Sequence, residues 1–62
     1  MTPDQERLAE ALAVRRLYGP SAPQHIAERI GALALAGDAA GVQRWMHIAA
    51  KVDEIERGAG GA

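Results

Sequence analysis

Adjacent residues Gly37 and Asp38 constrain this chain more than any other feature. The segment Ile26-Ala-Glu-Arg-Ile30-Gly-Ala-Leu33-Ala-Leu-Ala has the pattern of one amphipathic helix and stops at Gly37. Asp38 then begins a second helical pattern, with Val42-Gln-Arg-Trp45 following at once. A glycine just past a helix takes the left-handed capping conformation, and an aspartate just before one accepts from its free N–H groups. Stop and start are therefore neighbours, and the two helices must fold back or cross at a fixed angle. The only tryptophan, Trp45, lies about two turns into the second of them.

The same grammar divides the rest of the chain. Thr2 is placed to cap a first helix, with Pro3 at its first position and Gln5 completing a capping box. Gly19-Pro20 signals its stop. Ser21, Pro23 and Gln24 repeat the opening signal for a second helix, in which Ile26, Ile30, Leu33 and Ala34 share one face. In a third helix Trp45, Ile48, Ala49, Val52 and Ile55 form a broad apolar stripe. The expectation is an all-α protein, a three-helix bundle with helices over about residues 3–18, 22–36 and 39–57. Residues 1–57 form one domain, and the glycine-rich residues 58–62 form a flexible tail with nothing to bury.

The first helix fits this scheme least well. Leu8, Leu12 and Leu17, with Ala9 and Ala13, make one face, yet Ala11, Val14 and Tyr18 lie round the other side. Leu35 likewise points away from Ile26, Ile30 and Leu33 on the second helix. A chain of 62 residues is near the lower limit for folding alone, and its stock of large apolar side chains is thin. Burial against a second copy is the natural remedy. The sequence thus predicts a homodimer, with Val14, Tyr18 and Leu35 as candidate interface residues.

Several chemistries have little to build on. There is no cysteine, so neither a disulfide framework nor a cysteine metal site is available. The two histidines are not at the i, i+4 spacing of a helical zinc pair, since His47 is followed at that distance by Lys51. His25 and Glu28 are i, i+3, but Glu28 points away from the apolar face of its helix. No metal and no cofactor is expected. His25, Asp38 and His47 are the obvious catalytic set, and nothing in their spacing brings them together. Gly37-Asp-Ala-Ala-Gly41 fails as a phosphate cradle, because no strand precedes it and Asp38 would repel the anion. The chain is therefore expected not to be an enzyme, although a site assembled across a dimer interface is a further alternative.

A net charge of −1, with acids and bases interspersed, argues against general attraction to nucleic acid or anionic membranes. The alternative deserving a test is a DNA-binding regulator. Helices two and three resemble a helix-turn-helix in outline, with Gln43, Arg44, His47 and Lys51 as the face that would read a groove. Against it, the hinge is shorter than the usual turn of about 3–4 residues, and Asp38 and Glu54 border the face. No apolar run approaches a membrane span, and no basic-then-apolar leader opens the sequence, so the expected compartment is the cytoplasm.

Arg16-Leu-Tyr18-Gly-Pro, Ile26-Ala-Glu-Arg-Ile-Gly-Ala-Leu-Ala, Gly37-Asp38 and Gly41-Val-Gln-Arg-Trp45 together resemble a family of small alphaproteobacterial proteins. That family is a domain of unknown function, and the likeness covers about residues 5–56. It implies an all-helical bacterial protein and brings no catalytic residues with it. The expected role is a non-catalytic protein–protein interaction or regulatory module that self-associates.

Overall fold

The computed structural model describes residues 2–60, and every element among them is helical. Helical structure runs in two unbroken stretches, residues 3–35 and 39–60. The first is divided by a 3-10 turn at Gly19–Ser21 into α1 (Pro3–Tyr18) and α2 (Ala22–Leu35). The second is α3 (Ala39–Gly60).

The expected capping box opens α1. The Thr2 hydroxyl accepts from the Gln5 N–H at 3.1 Å, and the Thr2 N–H donates to the Gln5 side chain at 2.9 Å. The stop at Gly19 is also present, with φ +52° and its N–H bonded to the Arg15 carbonyl. The cap expected of Ser21 is not. Its side chain makes no capping bond, because the 3-10 turn carries helical hydrogen bonding across the junction. The Ala22 N–H donates to the Gly19 carbonyl, and Pro23, the next position, has no N–H to cap.

The α2–α3 joint is tighter than the sequence alone required. The Asp38 N–H reaches the Leu33 carbonyl at 3.0 Å and the Gly37 N–H reaches the Ala34 carbonyl at 3.1 Å. These two bonds, with Gly37 at φ +74°, define a Schellman closure of α2. Asp38 is its outermost residue and simultaneously caps α3, accepting from the Gly41 N–H at 2.9 Å. One residue thus belongs to both termini. Gly41 is the other half of that device, since a Cβ there would sit 2.5 Å from an Asp38 carboxylate oxygen and 3.1 Å from Leu33 Cδ2.

α3 extends to Gly60, past the expected end at residue 57. Gly58, where a stop was expected, stays within the helix and lacks the positive φ that Gly19 and Gly37 adopt. Of the expected tail, residues 58–60 are therefore helical, and residues 61–62 lie outside the described ones.

α3 is the centre of the structure. It packs on both α2 and α1, which touch each other far less. The core holds Ala11 and Val14 from α1, Ala22 and Ile26 from α2, and Ile48 and Val52 from α3. Ile30, Trp45, Ala49 and Ile55 pack against it while half-buried. The α2 and α3 stripes thus face inward as their periodicity requires. α1 does not follow the expected leucine face. Leu8, Leu12 and Leu17 are exposed, and Ala11 and Val14 fill the contact instead.

The cause is the way α1 lies on α3. On one flank Asp4 and Arg15 pair with Lys51 and Glu56, which follow Ile48 in sequence. On the other flank Glu10 pairs with Arg44, which precedes it. Two helices linked in that order cross at an angle. Small residues win at a crossing because they let the backbones approach. Ala11 is wholly buried there.

Candidate functional site

The chain's single tyrosine, its single tryptophan and one of its two histidines come together where the three helices meet. Tyr18 ends α1, and the 3-10 turn folds it back on the first turn of α2. Its ring stacks on His25 with centroids 3.8 Å apart and planes 13° from parallel. His25 in turn meets Trp45 of α3 edge-on, at 5.8 Å and 75°. Arg29, one turn beyond His25, lies 5.6 Å from the Trp45 ring centroid, within cation–π range. Four side chains from three elements therefore form one continuous cluster.

This cluster fastens the α1–α2 turn to α3. A shallow groove beside it is lined by Tyr18, Ser21, Gln24, His25 and Glu28. Trp45 is half-buried and borders the core, in keeping with its place in the α3 stripe. The arrangement is missed by sequence reasoning that treats Tyr18 as an outward residue and His25 as solitary. The legible signal was the brevity of Gly19-Pro20-Ser21, which forces Tyr18 and His25 onto adjoining turns.

The other candidate residues are dispersed. Of the expected interface set, Val14 is 8% exposed and packs in the chain's own core. Tyr18 and Leu35 are accessible, Leu35 at 93%. Asp38 is occupied as a cap and lines a groove with Val42 and Met46, whereas His47 lines a neighbouring one with Gln43 and Met46. His25 sits elsewhere, in the groove beside Tyr18. Among the described residues no group of three or more histidines or carboxylates is placed to hold a metal ion.

On the polar face of α3, two of the four residues are already engaged. Arg44 donates through Nε to Glu10 at 2.9 Å and adds a second bond through its terminal nitrogen. Lys51 pairs with Asp4 at 2.6 Å and Glu54 at 3.2 Å. The hydrogen bond that Lys51 donates to Asp4, followed by the one it donates to Glu54, raises the Lys51 pKa above its usual value. Burial pushes Glu10 upward, but the bonds and charges of Arg44 and Arg7 outweigh it and hold the carboxyl below the usual glutamate range. Gln43 and His47 remain exposed, without the free cations that contact phosphates.

These features define a small all-helical protein organised on one central helix, with shallow grooves at its surface. Among the described residues, no helix is long and apolar enough to cross a membrane. The chain belongs to DUF6961, a family of unknown function, which it matches over residues 3–59. No curated protein and no solved structure matches it.

Proposed function

We propose that this protein is a non-catalytic interaction module whose working form is a homodimer. The observation that carries this reading is the balance of its apolar side chains. Among the described residues, Val14, Ile26, Ile48 and Val52 are the buried side chains larger than alanine, whereas Leu8, Leu12, Leu17, Tyr18, Leu35 and Met46 are 39–93% exposed. A monomer normally keeps its larger apolar groups inside.

The dispersion of His25, Asp38 and His47 favours binding over catalysis. The internal pairing of Arg44 and Lys51 weighs against the DNA-reading alternative.

Sedimentation equilibrium from about 1 to about 100 μM spans the affinity of a small, reversible interface. The expected result is a mass rising towards twice that of the chain. A folded monomer throughout that range would overturn the proposal.

A further inference from the structure

The face of α1 opposite Ala11 carries Glu6, Ala9, Ala13 and Arg16, a 3-4-3 spacing that lines them up as one seam along the helix. All four are exposed. Among the described residues, the side chains of Glu6 and Arg16 make no hydrogen bond and no ion pair, unlike those of Asp4, Arg7, Glu10 and Arg15 on the same helix. Glu6 contributes only a longer-range attraction to Arg44. The helix thus shows an acid at one end of its outer seam, a base at the other and two alanines between.

That order is self-complementary in one arrangement. We infer that two copies of the chain pair through α1, antiparallel about a two-fold axis, with Glu6 of each copy meeting Arg16 of the other. The register that sets Ala9 against the second copy's Ala13 also sets Glu6 against its Arg16, and symmetry produces each pair twice. The alanines let the helix axes approach closely. Leu12 and Leu17, 42% and 76% exposed, flank the seam on its two sides and close over it. A parallel pairing is excluded by the same charges, because it would set Glu6 against Glu6 and Arg16 against Arg16. This interface rests on the homodimer reading above and specifies which surface forms it.

Charge reversal tests it. Glu6→Arg or Arg16→Glu alone turns both attractions into repulsions and is expected to weaken dimerisation by about tenfold. The double variant Glu6→Arg/Arg16→Glu restores it. Mixing the two single variants also restores it, because the heterodimer again has both pairs of opposite sign. Circular dichroism on the same samples confirms that each variant keeps its helices.

As a second measurement, the cysteine-free chain carrying Ala9→Cys and Ala13→Cys is expected to form a disulfide-linked dimer under mild oxidation, through one cysteine from each copy. A wild-type dimer indifferent to both reversals, or one that fails to crosslink, overturns the α1 seam and leaves the homodimer reading standing. A wild-type monomer at about 100 μM removes both.

Discussion

α3 and α1 hold comparable stocks of apolar residues and use them in opposite ways. α3 turns Ile48 and Val52 wholly inward and half-buries Trp45, Ala49 and Ile55. α1 buries Ala11 and Val14 and leaves Leu8, Leu12 and Leu17 outside. The difference follows from position. α3 has a neighbour along each of two flanks, so a wide stripe finds partners over most of its length. α1 touches α3 at a crossing, where a few small residues suffice and bulk would hold the backbones apart. The fold therefore depends on α3, and the unsatisfied apolar surface collects on α1.

The strongest way to break this comparison is to remove bulk from α3. Ile48 is 1% exposed and the largest side chain that is fully enclosed. Ile48→Ala is expected to cost about 2–5 kcal/mol, from lost transfer energy and the cavity left behind. In a domain of this size that approaches the whole stability. Urea unfolding monitored by Trp45 fluorescence measures it. A loss under about 1 kcal/mol would mean that α3 is not the centre of the fold.

A smaller effect probes the link between the two helices. The Glu10 carboxyl joins α1 to α3 through Arg44 and also binds Arg7 on its own helix. Its pKa is lowered in the folded protein from an ordinary 4.5, so the ionised form favours folding. That contribution is present above the ordinary value and is lost as pH falls through the folded one. Glu10→Gln should therefore melt below the wild type at neutral pH, with the gap closing as pH falls below 4.5. A gap that stays constant into acid would show that the pairing adds nothing.

The parts legible in the sequence were those fixed by local chemistry or by long periodic faces. Thr2 with Gln5, the Gly37-Asp38 joint and the stripe from Trp45 to Ile55 all stand in the structure as their residues demand. The face of α1 was not legible. Periodicity weighs side chains by size, so it chose the leucines, whereas a crossing selects for closeness and chose Ala11. The aromatic cluster escaped for a related reason. Tyr18, His25 and Trp45 lie on three different elements, and no pattern within one helix brings them together. Their meeting depends on the three-residue turn that folds α2 back from α1 and on the angle set at Asp38. Family membership supplies no role that would have pointed to them.

The smallest expected effect sharpens the contrast between the helices most. Leu17 is 76% exposed at the end of α1, and within one chain Leu17→Ala removes almost no buried contact. Its unfolding free energy at high dilution is expected to change by no more than about 0.5 kcal/mol. The same side chain flanks the outer seam of α1, so its truncation should loosen the dimer by a few-fold while leaving the monomer alone. Melting curves at two concentrations separate these effects. If the shift is confined to the concentrated sample, the leucine is an interface residue that the fold itself does not need. If both samples lose the same stability, Leu17 is already sheltered within its own chain, and α1 has less free surface to offer a second copy.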